Sequence, residues 1–214
     1  MKSMKYLVFL KGLAHWNRRL HIHIGLFLLL FIWLFSFSGL LLNHSSWDFA
    51  SFWEQKKETK TITNISVPKG LDSLQTVKRI MLNLNISGEI SNLKMTPDSV
   101  DFRVSVPGHI RNLHVDLNKG ICVQNEMRYN FWGKIKTLHT FNGANRENPA
   151  LGANWLVSRI WIFSMDGIAI GLIYLCISSW IMWYNIRENY RWGTIVLITG
   201  FAVVIYFLFI LGML

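Results

Sequence analysis

The chain has 214 residues, of which 51% are hydrophobic and 14% aromatic, and it carries a formal net charge of +10. That apolar content excludes an ordinary soluble domain of this length. The cysteines, Cys122 and Cys176, lie too far apart in the expected topology to pair, which excludes a disulfide framework and a cysteine-based metal site.

Residues 1–19 form a basic arm with Lys2, Lys5, Lys11, Arg18 and Arg19 and no acid. An uncharged run follows at 22–42. At 1.5 Å per residue its length matches a hydrocarbon core of roughly 30 Å, so 20–43 is expected to be a first spanning helix. The run is longer than a signal-peptide core and lacks a small-x-small cleavage site, so it reads as retained. Histidines flank it: His21 and His23 at the start, His44 at the end.

Residues 44–154 form a polar segment outside the membrane. Trp47, Phe49, Phe52 and Trp53 suit a membrane interface, and 54–60 reads as a solvated linker. Apolar residues at 71, 74, 77, 81 and 82 outline one face of a helix. Alternation and β-branched residues predict strands at 89–95, 99–106, 112–117 and 121–124, with turns at Thr96-Pro97-Asp98-Ser99, Pro107-Gly108 and Asp116–Gly120. The expected unit is a helix followed by three or four antiparallel strands, too small to bury more than a modest core. Phe131, Ile135 and Leu138 mark an aromatic and basic interfacial helix over 131–141, which also carries His139. A polar loop, 142–148, and Pro149 precede the next apolar run.

Two further spanning helices are expected at 155–184 and 193–214, joined by a short turn at 185–192. Lysines and arginines before the first helix, with Arg187 and Arg191 against Glu188 in the turn, place both on the cytoplasmic side. The main polar segment and the C-terminus then lie outside, periplasmic in a bacterial inner membrane. The positive charge is in part this topology signal, and no nucleic-acid partner is expected; the lipid bilayer is. Asp166 is the one acid inside a spanning run, which makes it a candidate for proton relay. Gly167-x-x-x-Gly171 fits close helix packing.

Several short motifs in this order resemble the PepSY-associated transmembrane helix family. They are Arg19-Leu20-His21-x-x-x-Gly25 and Ser38-Gly39-Leu40-Leu41-Leu42 at the two ends of the first helix, then Leu138-His139, then Ser179-Trp180-Ile181-Met182-Trp183. The polar unit over about 61–128 resembles a PepSY domain, with Asp116-x-x-x-Gly120 as its turn. The resemblance covers 15 to about 187. It implies a short, three-helix inner-membrane member with an external α+β PepSY-like domain between helices 1 and 2. Some relatives of that kind carry haem b and reduce ferric-siderophores, with helix histidines as axial ligands. Carried over by position, the matched histidines are His21 and His139. The chain departs from the haem-bearing members in having three spanning helices where they have four or more.

Helical geometry alone offers different pairs. At about 100° per residue, His23 and His44 fall within about 60° of one face, whereas His21 and His44 are roughly 140° apart. His44 and His139 sit near the same interface and form the pair one chain could complete. His21 and His23 have no histidine opposite them, so the opposite ligand would be Met182 or a histidine supplied by a homodimer or a membrane partner protein. His15 reads as an interfacial residue, and His109 and His114 as solvated or packed. Two functions follow: electron transfer through haem held by His21, His23, His44 or His139, or a non-enzymatic anchored domain that binds or regulates a partner protein, as in protease inhibition.

Overall fold

A computed structural model of the chain describes residues 2–44, 46–51, 53–67, 70–143, 145, 149–185 and 190–210, with side chains from 12 onward apart from 150 and 185. Phe52, most of the 142–148 loop, Arg187 and Glu188 in the expected turn, and the end of the third helix beyond 210 lie outside the described residues.

The helices are α1 (Lys2–Asn43), α2 (Ser73–Asn83), α3 (Phe131–Thr140), α4 (Leu156–Asn185) and α5 (Tyr190–Ile205), the last running on into a π turn, Tyr206–Ile210. The strands are β1 (Lys57–Asn64), β2 (Glu89–Met95), β3 (Ser99–Val106), β4 (His109–Asp116) and β5 (Ile121–Arg128). Three stretches, Gly12–Asn43, Leu156–Tyr184 and Tyr190–Ile210, are long and apolar enough to cross a membrane. Their exposed apolar side chains suit contact with lipid, and helices satisfy their own backbone there. The basic arm is continuous helix with the apolar run, since α1 starts at Lys2.

The chain divides into two compact units. One comprises Met1–Leu30 and Gly167–Leu214. In it Leu28, 2% exposed, packs on α4 at Gly171, where a Cβ would come within 2.7 Å of Leu28 Cδ1. Gly25 faces Leu175 in the same seam. Gly167 has open space around it, so only the second glycine of the small-x-x-x-small pattern makes the close approach. Trp183 stacks on Tyr190 with 5.3 Å between ring centroids.

The other unit, Phe31–Asp166, contains an antiparallel sheet of order β1-β5-β4-β3-β2. Asp72 caps α2 by accepting from the Gln75 N–H at 2.6 Å, and the helix lays Val77, Ile80 and Met81 against Ile90, Val100, Phe102, Val104, Leu113, Val115 and Cys122. Each such buried aliphatic or aromatic side chain contributes about 1.5–3 kcal/mol. Burial raises the Cys122 thiol pKa. Between β3 and β4, Val106 pairs with His109, so Pro107 and Gly108 are the two central turn residues. Proline followed by glycine at φ 79° is the type II combination.

Strand β1 corrects the linker reading of 54–60: from Lys57 the chain pairs along β5 in unbroken register through Asn64. All eight of its residues are exposed, so main-chain bonding forms the strand without leaving an alternating pattern. Strand β4 starts at His109 and β5 runs to Arg128, both longer than their apolar cores suggest.

The opposite edge strand, β2, is tied to the start of α4. The Asn154 side chain accepts from the Ile90 N–H at 2.9 Å and donates to the Ile90 carbonyl at 2.7 Å, as a neighbouring strand would. Glu89, 5% exposed, accepts from the backbone N–H groups of Asn154 at 2.9 Å and Trp155 at 3.1 Å. A carboxylate at unpaired N–H groups entering a helix is favourable by charge and by hydrogen bonding.

Candidate functional site

The Asn130 side chain starts α3 by accepting from the Gly133 N–H at 3.0 Å, while its Nδ2 donates to the Ser51 carbonyl at 2.8 Å. Buried Lys136 donates to the Ala50 carbonyl at 3.3 Å. These contacts hold the helix whose last turn carries His139. His139 Nδ1 lies 2.7 Å from Ser38 Oγ, and Ser38 is 1% exposed. The Ser38 hydroxyl donates to the Phe35 carbonyl at 3.1 Å. One assignment satisfies both contacts: the Ser38 proton goes to the Phe35 carbonyl and the hydroxyl accepts from His139 Nδ1–H. In the neutral ring this assignment leaves the Nε2 lone pair free. The Phe35 ring stands 5.3 Å from the imidazole, and Trp161, which donates to the Phe141 carbonyl at 2.9 Å, stands 6.3 Å from Phe35.

His44 has different partners. Its Nδ1 donates to the Leu40 carbonyl at 3.1 Å, and its ring stacks on Trp47 at 4.4 Å. Trp47 continues to Phe49, and Phe49 meets Trp132 edge to face. The six residues from Ser38 to His44 cover about 9 Å of helix axis. The structure therefore joins His139 to Ser38, and His44 and His139 keep separate partners. Phe35 packs against the half-buried His139, and an aromatic stack carries His44.

His23 Nδ1 donates to the Arg19 carbonyl at 2.7 Å, the same one-turn bond as in His44, again leaving Nε2 free. His21 Nδ1 is buried without a hydrogen-bond partner. It lies one turn on from Asn17, on the same helix face. Asn17 donates to the Ser178 carbonyl at 3.4 Å and accepts at Oδ1 from the Tyr174 hydroxyl at 3.2 Å. This polar stretch of seam leads directly into the apolar contact of Leu28 with Gly171. Asp166 is exposed and has no ion pair among the described residues.

Sequence reasoning missed a charged group on the sheet. His109 Nε2 lies 2.5 Å from Glu126 Oε1, Arg111 Nη2 lies 3.9 Å from the same oxygen, and Arg128 bonds it as well. Gln124 donates to the other oxygen at 3.2 Å. Burial lowers the His109 pKa, assisted by the Arg111 and Arg128 charges and opposed by Glu126. Burial pushes Glu126 up, but the Arg128 hydrogen bond and the charges of His109, Arg111 and Arg128 outweigh it and hold the carboxyl below the ordinary range. The available signal was positional: 109 and 111 on one strand and 126 and 128 on the next project to one face. Elsewhere Asp116 accepts from the Lys119 N–H at 2.9 Å and the Asn118 N–H at 3.0 Å. The Lys119 bond, first, lowers its pKa.

Among the described residues no group of three or more His, Cys, Asp or Glu side chains is placed to hold a metal ion. Four histidines remain as single-nitrogen donors. His139 is the best oriented, since its Nδ1 bond is to a buried side chain of another helix. In comparison with known proteins, the chain matches no family model, no curated protein and no solved structure.

Proposed function

We propose that the chain is a membrane-anchored PepSY-type protein that holds haem b through His139 and transfers electrons, with ferric-siderophore reduction as the activity its family resemblance implies. The observation that carries this reading is the Ser38–His139 bond. It holds the imidazole by Nδ1 and leaves Nε2 as the available ligating atom, which resembles the outer-shell arrangement that metal-ligating histidines use. When bound, haem supplies one-electron chemistry. The chain's part is to orient His139 through Ser38 and to pack Phe35 against it.

His44 does not face His139 within the chain, so the second axial ligand is assigned to another chain. The same applies to His21 and His23 on the cytoplasmic side, which the basic residues at 11, 18 and 19 favour as the inner one. On this reading the sheet unit is periplasmic and the membrane is the bacterial inner membrane. Detergent-purified protein from haem-replete cells should show the absorption of low-spin haem on reduction, and His139→Ala should lose it. A colourless preparation overturns the proposal.

One observation favours a second, non-enzymatic reading in which the anchored domain binds or regulates a protein partner. The four histidines stand in separate settings, whereas edge strand β1 is exposed along its whole length. Unchanged cellular function after joint replacement of His21, His23, His44 and His139 selects this reading over the first.

A further inference from the structure

The sheet has two edges, and only one is closed. At β2 the Asn154 side chain occupies both main-chain groups of Ile90, and the register with β3 shifts between Ser91 and Lys94. At β1 no described residue pairs with the free side, and all eight residues are exposed. An open edge of that length is a template for another strand.

The register decides which main-chain groups it offers. The Ile65 N–H donates to the Gly120 carbonyl at 2.8 Å, continuing the β1–β5 pairing of Asn64 with Ile121. Hydrogen-bonded positions alternate along an antiparallel strand, so Lys57, Thr59, Thr61 and Thr63 bond β5. Glu58, Lys60, Ile62 and Asn64 turn their N–H and C=O groups outward. A second copy of β1 can then add antiparallel only where these outward residues oppose one another.

Charge separates the registers that remain. One sets Glu58 against Glu58 and another Lys60 against Lys60, and like charges directly opposite are destabilising. The register between them sets Glu58 against Lys60 twice, with Thr59 facing Thr59 on the two-fold axis. A longer register centred on Thr61 sets Lys60 against Ile62 and Glu58 against Asn64 and makes no charge pair. The charges that block the neighbouring registers are thus the ones that complete this one.

We propose that β1 is a homodimer interface, pairing antiparallel with β1 of a second copy of this chain about Thr59, so that the two five-stranded sheets become continuous. The inference does not depend on haem. It also supplies the kind of second chain on which the proposed function relies.

The test uses the full-length protein in native membranes, with exposed Cys176 replaced by serine and buried Cys122 retained. Facing residues at a position that does not bond across the new pair are close enough for a disulfide, so Thr59→Cys should give a disulfide-linked homodimer under mild oxidation, well above the yield from Thr61→Cys. Adding Lys60→Glu should cut that yield about tenfold, as two opposite-charge pairs become like-charge pairs. Adding Glu58→Lys as well should restore it. A monomer from Thr59→Cys overturns the proposal, as does a dimer indifferent to Lys60→Glu. Stronger crosslinking at Thr61→Cys rejects the register, and an adduct of Thr59→Cys with a different protein assigns the edge to that partner instead.

Discussion

The Ser38 hydroxyl lies 3.1 Å from the Phe35 carbonyl and 2.7 Å from His139 Nδ1, and both contacts are satisfied when it donates to the first and accepts from the second. The bond joins α1 to the last turn of α3 across 101 residues of sequence, and it decides which imidazole nitrogen remains available. If His139 is a haem ligand, Ser38→Ala should lower haem affinity by about tenfold, the low end for loss of an outer-shell partner. The far-ultraviolet circular dichroism should be unchanged. Titration of haem into the apoprotein measures this, and equal affinity for the variant and the parent removes Ser38 from the site.

Glu89 and Asn154 should act as one clamp. Glu89→Ala removes the acceptor for two backbone N–H groups and should destabilise by about 2–3 kcal/mol, because charged acceptors make the stronger bonds. Asn154→Ala leaves both main-chain groups of Ile90 unpaired and should cost about 2 kcal/mol. The double variant should lose less than the two single losses combined, since both share one junction. Denaturant unfolding in detergent gives the energies, and amide exchange at Ile90 should quicken in each single variant. Strict additivity contradicts a shared clamp.

Acid should weaken the sheet unit in two stages with the same sign. The His109 pKa is lowered in the folded protein, so below 6.5 the unfolded chain binds a proton that the folded chain resists. Stability is then lost as pH falls through that window. Glu126 is also lowered from 4.5, and its contribution is lost at still lower pH. His109→Gln should flatten the profile just below pH 6.5 without changing the lower limb. A wild-type unfolding midpoint that rises on acidification in that range is the contrary result.

The two glycines of the packed helix pair should differ sharply. Gly171→Ile forces a side chain against Leu28 and should destabilise the protein in micelles by about 1–3 kcal/mol. Gly167→Ile enters open space and should be tolerated. Thermal unfolding of the two variants side by side reads the difference, and equal losses remove the special role of Gly171.

Much of the fold was legible locally. The three long apolar helices follow from the length of their apolar runs, and the alternation at 89–95 and 99–106 reappears as β2 and β3. The turns at Pro107-Gly108 and Asp116–Gly120 follow from residue chemistry. Strand β1 was hidden because it is an exposed edge: with no buried face along Lys57–Asn64, its first half reads as part of a solvated linker at 54–60. The histidines were visible one at a time, but nothing local said that His139 would bond Ser38 while His44 stacked on Trp47.

Sequence alone determined what depends on neighbours within a few turns of chain: helix length against membrane thickness, strand alternation, turns and caps. Tertiary structure decided what depends on partners distant in sequence. It brought Ser38 to His139, joined Glu89 to the start of α4, and collected His109 and Arg111 around Glu126. It also made one sheet edge closed and the other open. The physical reason is that a hydrogen bond or ion pair between remote residues needs only their coincidence in space, and that coincidence leaves no period in the chain.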